Sequence, residues 1–251
     1  MTRIRFEGCL SPRPSSSIGP GTPNAKATII IRVRMNLEQA RTNMVEQQIR
    51  TWEVLDQDVL DLLYVVPREE FVPAKHRTLA FSDMEIPIGE GEKMWQPKME
   101  ARVIQELAIR KTDRVLEAGT GSGYLTALMS HRASRVLSVE LKASLAAFGR
   151  ANLERHGADN VSLETGDAAH GWPSGAPYDV IVLTGSTPTL PRALAEQLAP
   201  GGRLFAVVGE APVMSARLIV ATAPGVWHGT DLFETVIAPL ANAERPARFR
   251  F

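Results

Sequence analysis

A glycine-rich turn that follows a short apolar run constrains this sequence more than any other feature. The stretch reads Arg114-Val-Leu-Glu-Ala-Gly-Thr-Gly-Ser-Gly-Tyr124, and a helical run, Leu125 to Ser130, comes directly after it. A buried strand, a turn of glycines and a helix form the half-unit that binds nucleotide-like ligands in doubly wound α/β domains. Glycines allow the sharp turn and the close approach of a ligand to the backbone. The spacing is not that of a dinucleotide site, because Tyr124 or Thr126 stands where the third glycine is needed.

The composition limits the class of protein. A chain of 251 residues can bury one substantial core, with room for a small appended subdomain. Acidic and basic residues number 28 each, so no overall field favours nucleic acid or an anionic membrane. No apolar run approaches the ~20 residues that span a bilayer. Cys9 is the only cysteine, which excludes an internal disulfide. We therefore predict a cytoplasmic protein without a nucleic-acid or membrane partner; the composition does not define its oligomeric state.

Residues 1–34 differ from the rest of the chain. They are rich in Pro, Ser and Gly and lack hydrophobic periodicity, which is typical of a segment with too little apolar area to fold alone. We predict a disordered or non-native extension, with Met35 as the natural first residue. The alternative is a short strand, Thr28 to Val33, added to the edge of a sheet. At the other end, Glu244 to Phe251 predict a basic, aromatic tail that packs on the surface.

Residues 35–98 predict an N-terminal helical and substrate-loop subdomain. Apolar residues recur at helical spacing from Asn36 onward. Asp56 can cap a second helix, which has to end before Pro67. The prolines in Phe71-Val-Pro73 and in Phe81 to Ile88 predict irregular segments, and a loop, Gly89 to Pro97, is expected after them.

The pattern after the glycine turn predicts alternating strands and helices. The further strands are expected at Arg135–Glu140, Val161–Glu164, Tyr178–Leu183 and Leu204–Val208. Gly157 is expected to end the helix after the first of these, and a helix through Leu194 and Leu198 to end at Pro200-Gly-Gly202. Two later segments can pair as a hairpin, Arg217–Thr222 and Leu232–Ile237. We predict an α/β fold: a doubly wound, mostly parallel sheet in residues 99–251, the N-terminal helical subdomain and a C-terminal antiparallel hairpin.

Two acidic residues fall at the ends of predicted strands. Glu140 lies 21 residues after Gly119 and can accept hydrogen bonds from the two vicinal hydroxyls of a ribose. Asp167 closes the next strand and can accept from the exocyclic amine of adenine. Each acid taken alone is equally well explained as a solvated loop end. Because both stand in register with the glycine turn, together they favour an adenosine site.

Several further segments match a known pattern, and they cover about residues 36–240. They include Met44-Val-Glu-Gln-Gln-Ile49, Val66-Pro-Arg-Glu-Glu-Phe-Val72, Ile86-Pro-Ile-Gly-Glu-Gly91, Gln96-Pro97 and Leu198-Ala-Pro-Gly-Gly202. With the acidic-x-G-x-G-x-G turn, they resemble the protein-L-isoaspartate O-methyltransferase family of class I S-adenosylmethionine methyltransferases. The Ile-Pro-Ile-Gly-x-Gly segment is the more specific part, since many unrelated methyltransferases share the glycine turn.

The resemblance implies a carboxyl O-methyltransferase that uses S-adenosyl-L-methionine and acts on an isoaspartyl protein or peptide. It implies that the cofactor is held by Glu117, Gly119, Thr120, Gly121, Gly123, Tyr124, Glu140, Leu141, Gly166, Asp167, Ala168 and Thr184. Transfer to a carboxylate needs no strong base, because an acid of pKa ~4 is already ionised at neutral pH. The lack of a nucleophile–base pattern is therefore expected. The five histidines have no metal-ligand spacing, so we predict no metal and assign them to the surface or to packing.

The acceptor loop departs from the family. Lys93-Met-Trp-Gln-Pro97 stands where the family usually has Thr-Ile-Ser-Gln-Pro, and we take Lys93, Trp95 and Gln96 as the candidate catalytic residues. Lys93 would attract a carboxylate and Trp95 would form an apolar wall; otherwise Trp95 packs on the N-terminal helices and Lys93 faces solvent. We expect weak isoaspartyl turnover, and a gain when Lys93→Thr and Trp95→Ser are combined. Methylation of a small-molecule acceptor and cofactor binding without catalysis are the alternatives.

Overall fold

A computed structural model of the chain describes residues 36–245. The chain separates into two compact units, Met1–Gln39 and Ala40–Phe251. In the first unit the described residues, 36–39, are helical. The extension predicted for residues 1–34, its alternative strand and most of the predicted C-terminal tail lie outside the described residues. The predicted domain boundaries stay predictions.

A seven-stranded sheet forms the centre of the second unit. Its strands are β3 (Arg114–Ala118), β4 (Arg135–Glu140), β5 (Val161–Thr165), β6 (Tyr178–Thr187), β7 (Leu198–Glu210), β8 (Val213–Ala223) and β9 (Val226–Glu234). The spatial order is β5-β4-β3-β6-β7-β8-β9. The strands from β5 to β7 are parallel, and β8 and β9 are antiparallel. The order reverses beside β3, which is the arrangement of a doubly wound sheet. The predicted fold class is confirmed.

The central strands are mostly apolar, because helices cover the faces of a parallel sheet. Leu116, Ile181 and Leu204 are fully buried in one core cluster. The helices of this region are α3 (Pro97–Leu107), α4 (Tyr124–Ser130), α5 (Ala143–His156) and α6 (Arg192–Ala195). Helix α3 packs against α4 and β7, and α5 packs against β4 and β5. Gly157 ends α5 in the left-handed conformation, as predicted. Within residues 36–245, no helix is both long enough and apolar enough to cross a membrane.

The N-terminal part of the second unit is helical, as its periodicity predicts. Helix α1 (residues 40–44 in this unit) continues as a π-helical turn, Val45–Ile49. Asp56 caps α2 (Gln57–Val65): its carboxylate accepts from the backbone N–H of Asp58 at 2.9 Å. This cap was predicted, and the helix ends before Pro67 as expected. Three short 3₁₀ turns complete this region, at Arg50–Trp52, Arg68–Glu70 and Ala74–Leu79.

The predicted irregular segment and the predicted loop after it together contain a two-stranded antiparallel sheet, so the loop prediction is wrong for residues 92–94. Strands β1 (Ile86–Gly89) and β2 (Glu92–Met94) pair with Ile86 opposite Met94. The turn between them has positive φ at Gly89, Glu90 and Gly91, of 112°, 52° and 81°. Glycine tolerates such angles, which is why the chain can reverse direction here. We refer to residues 86–94 as the acceptor hairpin.

Two further predictions are wrong in detail. The helix through Leu194 and Leu198 stops at Ala195, because Leu198 already begins β7 opposite Tyr178. The terminal hairpin exists, but β9 begins earlier than predicted. Pairing resumes directly after the Pro224–Gly225 turn, with Ala223 opposite Val226. Strand β9 consequently ends at Glu234, and the residues after it pass beside the end of β6, where Ser186 forms a parallel bridge with Pro239.

Candidate functional site

A cavity of about 430 Å³ opens at the carboxyl ends of the parallel strands. This is the position at which doubly wound sheets bind their ligands, and the volume lies within the roughly 300–1,000 Å³ of small-molecule sites. The cavity is lined by the glycine turn, the ends of β4 to β6, the acceptor hairpin and the segment 236–241. One continuous space therefore joins the predicted cofactor region to the predicted acceptor region.

The glycine turn forms one wall of this cavity, and its glycines leave the backbone accessible there. The N–H of Gly119 donates to the carbonyl of Val139 at 2.8 Å, which ties the turn to β4. Gly119 has a φ of 100°, and a Cβ there would collide with the Thr184 hydroxyl. Gly121 has a φ of 54° and lies under Ile88 of the acceptor hairpin. Larger residues at either position would fill or distort the cavity.

Glu117 is a buried carboxylate with one free oxygen. The side chain is fully buried at the cavity wall. Its Oε2 accepts from the hydroxyls of Thr126 at 2.5 Å and Ser138 at 2.6 Å. Its Oε1 has no hydrogen-bond partner among the residues that the structure describes. Burial raises the pKa of Glu117 to about 8, and the two hydroxyls oppose that rise. Such a group favours a cationic ligand, which would supply the missing partner and stabilise the ionised form.

The two strand-end acids are held by neighbouring backbone at the cavity. Glu140 accepts from the N–H of Gly121 at 2.9 Å and from that of Lys142 at 3.0 Å. Asp167 accepts from the N–H of Ala169 at 2.9 Å through one oxygen. Its other oxygen accepts from the side-chain amide of Asn242 at 2.8 Å. These contacts fix the orientation of both carboxylates without a ligand.

Most of the predicted cofactor residues line the cavity. They are Glu117, Gly119, Thr120, Gly121, Glu140, Leu141, Gly166, Asp167, Ala168 and Thr184. Gly123 and Tyr124 are not among the lining residues. Gly123 turns the chain into α4 with a φ of 80°, and the Tyr124 ring is buried beneath the guanidinium of Arg68, 4.9 Å from the ring centroid.

Two of the three candidate catalytic residues of the acceptor loop line the cavity, and their catalytic roles stay predictions. Lys93 lines the cavity, but its ammonium is paired with Glu85 at 3.0 Å. Trp95 also lines the cavity and is only 7% exposed. Its ring packs edge-to-face against that of Phe205 on β7, with centroids 6.4 Å apart, and not on the N-terminal helices as in the alternative interpretation. Gln96 precedes α3 and does not line the cavity.

A buried ion pair holds the base of the acceptor hairpin. Arg68 is fully buried and pairs with Glu100 in the first turn of α3. The guanidinium also donates to the carbonyls of Trp95 at 2.5 Å and Ala80 at 2.9 Å. Burial lowers the pKa of Arg68 to about 10, so the guanidinium stays charged at neutral pH. From the sequence, Arg68 was included only within the family segment 66–72, and this contact was not predicted.

The segment 236–241 is the part of the site that sequence reasoning missed. It runs beside the end of β6. The backbone N–H of Ser186 donates to the carbonyl of Ala238 at 2.9 Å, and the N–H of Leu240 donates to the carbonyl of Ser186 at 2.8 Å. A Cβ on Gly185 would lie 2.6 Å from the Cα of Leu240, so only glycine permits this approach. In the sequence, only Gly185 indicated that another segment packs closely against the end of β6.

Comparisons with known sequences show the family to which the chain belongs. The family model described as protein-L-isoaspartate(D-aspartate) O-methyltransferase (PCMT) matches residues 39–245. A protein-L-isoaspartate O-methyltransferase of Methanoculleus marisnigri is 44% identical over 169 residues, 67% of this chain and 77% of the relative. The Koribacter versatilis enzyme of the same name is 38% identical over 210 residues, 83% of this chain and 94% of the relative. The predicted resemblance is confirmed.

Solved structures show the same fold. One protein-L-isoaspartate O-methyltransferase aligns with a TM-score of 0.69 at 27% identity, over 79% of this chain and 65% of that structure. A Plasmodium falciparum beta-aspartate methyltransferase (PCMT), solved in complex with S-adenosyl-L-homocysteine, aligns with a TM-score of 0.68 at 21% identity, over 79% and 96%. The second likeness bears on the fold alone. With the family model spanning the described chain and two relatives above one third identity, the chain belongs to the protein-L-isoaspartate O-methyltransferase family of S-adenosylmethionine-dependent methyltransferases.

Proposed function

We propose that this enzyme transfers the methyl group of S-adenosylmethionine to the side-chain carboxylate of isoaspartyl residues in proteins and peptides. The observation that carries the proposal is that one cavity is lined on one side by the glycine turn and on another by the acceptor hairpin. A methyl donor and a carboxylate acceptor can therefore meet within one space. The same proposal places the enzyme in the cytoplasm.

The residues present suit the chemistry of the donor. S-adenosylmethionine supplies a methyl group on a sulfonium, together with an ammonium, a ribose diol and an adenine. The unpartnered Oε1 of Glu117 suits the ammonium, because a buried carboxylate oxygen needs a charged or hydrogen-bonding partner. Glu140 suits the vicinal hydroxyls, and Asp167 the adenine amine. Leu141 and Ala168 offer apolar surface for the adenine ring.

The chain has to align the reactants and exclude water, since the acceptor carboxylate is already a nucleophile. In the transfer, a carboxylate oxygen forms the new bond to the methyl carbon as the carbon–sulfur bond breaks, and no proton moves. Met94, Trp95 and Ile237 are buried at the cavity and form its apolar wall. We assign them to the exclusion of water, which strengthens electrostatic interactions inside the site. Lys93 and Glu85 form the charged rim.

A second candidate function is methylation of a small-molecule acceptor. It is favoured by one observation: Lys93 and Trp95 stand where the family usually has hydroxyl side chains. The structure also changes the expected effect of restoring those hydroxyls. Because Trp95 is buried against Phe205, Trp95→Ser would leave a void, and large-to-small changes of this kind cost about 3–5 kcal/mol. Lys93→Thr alone is therefore the cleaner test of the acceptor rim.

The deciding experiment is methyl transfer from labelled S-adenosylmethionine to an isoaspartyl peptide and to its normal aspartyl twin. We expect label in the isoaspartyl peptide only, released by mild base as expected for a methyl ester. Glu140→Ala should lower the rate, and Glu164→Ala, a strand-end acid outside the cavity lining, should not. Equal labelling of both peptides, or no labelling of either by a protein that binds S-adenosylhomocysteine, would contradict the proposed acceptor.

A further inference from the structure

The tip of the acceptor hairpin is held by Lys142, which lies between β4 and α5. The ammonium of Lys142 donates to the carbonyl of Glu90 at 2.7 Å and pairs with the carboxylate of Glu92 at 2.5 Å. Ser144 adds a hydrogen bond from its hydroxyl to the Glu90 carboxylate at 2.9 Å. We call the Lys142 contacts to Glu90 and Glu92 the latch.

The latch connects the two halves of the proposed site. Lys142 follows Glu140 by two residues, and its backbone N–H donates to the Glu140 carboxylate at 3.0 Å. One residue therefore holds the proposed ribose-binding acid through its backbone and the hairpin tip through its side chain. Glu92 and Lys142 both line the cavity, although 50 residues separate them in the chain. The latch thus joins two parts of the cavity wall.

The two ends of the acceptor hairpin are anchored with unequal strength. At the base, the carbonyl of Trp95 accepts from the fully buried Arg68, which is paired with Glu100. At the tip, the side chains of Lys142 and Glu92 are 31% and 41% exposed. Exposed ion pairs are individually weak and are screened by salt, whereas removing one partner of a buried pair is strongly destabilising. The tip is therefore the end of the hairpin that can release while the fold stays intact.

We propose that Lys142 is a positioning residue that closes the hairpin tip over the cofactor end of the cavity and so limits the rate of cofactor exchange. This inference rests on the proposed function, because it takes the cavity as the cofactor site. A closed hairpin tip slows both the entry of the cofactor into the cavity and its exit. Opening the latch is accordingly expected to speed both association and dissociation, and to change the equilibrium affinity less than either rate.

The test compares Lys142→Met with a matched control, Lys98→Met. Lys98 is also a lysine paired with an acid close to the hairpin, Asp83 at 2.8 Å, but it does not line the cavity. The association and dissociation rates of S-adenosylhomocysteine are measured by stopped-flow fluorescence on the full chain. We expect Lys142→Met to raise both rates roughly three- to tenfold, the size set by a partly exposed ion pair with one added hydrogen bond. Lys98→Met should match the wild type.

A charge reversal and a salt series complete the experiment. Lys142→Glu should speed exchange, and combining it with Glu92→Lys should return the rates toward those of the wild type. Salt raised from about 0.02 to about 0.5 M should speed exchange in the wild type, because it screens the latch, and should have little effect on Lys142→Met.

The outcomes separate this inference from the proposed function. Unchanged rates in Lys142→Met would overturn the latch while leaving the cofactor site in place. A faster dissociation with unchanged association would also overturn it, since Lys142 would then be a direct ligand contact. If the wild type fails to bind S-adenosylhomocysteine, or binds it without response to Glu140→Ala, the proposed cofactor site fails instead.

Discussion

The buried carboxylate of Glu117 leads to a prediction that can be worked through quantitatively. Its pKa is raised from 4.5 to about 8, chiefly by burial. Between these two values the folded protein binds a proton that the unfolded chain has released. The free energy of unfolding therefore falls as the pH rises through this interval. The slope is about 1.4 kcal/mol per pH unit, which amounts to about 4 kcal/mol between about pH 5 and pH 8.

Glu117→Gln removes this titration while keeping the shape of the side chain. We expect the free energy of unfolding of the variant, without ligand, to equal that of the wild type near pH 5. Near pH 8 it should exceed the wild-type value by a few kcal/mol. Glu164→Gln, at an exposed strand-end acid, is the control and should behave as the wild type. Denaturant unfolding at both pH values measures the difference.

The same substitution should act in the opposite direction on ligand binding. An ammonium beside Glu117 stabilises the ionised carboxylate, so cofactor binding below pH 8 is expected to release a proton and to strengthen as the pH rises. Glu117→Gln should weaken binding by about 1.5–3 kcal/mol, the range for hydrogen bonds to charged groups, and abolish the proton release. Calorimetry in buffers of different ionisation enthalpy measures both. A wild type whose stability and proton release are flat across this pH range would refute the reasoning.

Three further predictions concern packing and titration. Gly185→Ala should destabilise the protein by about 1–3 kcal/mol and weaken cofactor binding, because the new Cβ displaces Leu240; unchanged melting and affinity would show that the segment 236–241 is not held there. Tyr124→Phe should leave stability within about 1 kcal/mol of the wild type or slightly above it, because the buried hydroxyl has no partner among the described residues. A large loss of cofactor affinity in this variant would instead support the predicted cofactor role of Tyr124. The rings of His131 and His156 meet with their Nε2 atoms 3.0 Å apart, and burial lowers both pKa values below 6.5. Stability should therefore fall as the pH drops below 6.5, where the unfolded chain binds protons first. Replacing both histidines with Gln should reduce this acid sensitivity in thermal melts.

The sequence by itself was sufficient for the features that depend on neighbours along the chain. The strand, glycine turn and helix around residues 114–130 follow from a short apolar run, three glycines and a helical pattern. The Asp56 cap and the Gly157 helix end are local in the same way. The doubly wound, mostly parallel class of the sheet followed from the alternation of strands and helices, whereas the spatial order of the strands came from the structure.

Only the tertiary structure decided which distant residues share the site. Arg68 reaches Glu100 and Trp95, Trp95 meets Phe205, and Ser186 holds Leu240. No periodicity or motif spacing in the sequence predicts these contacts, because each joins elements that come together only in the folded protein. Burial then sets the chemistry of the groups involved. Whether Lys93 is free to meet a carboxylate depends on Glu85, and the high pKa of Glu117 depends on the core packed around it, because both effects arise from three-dimensional surroundings and not from residue type.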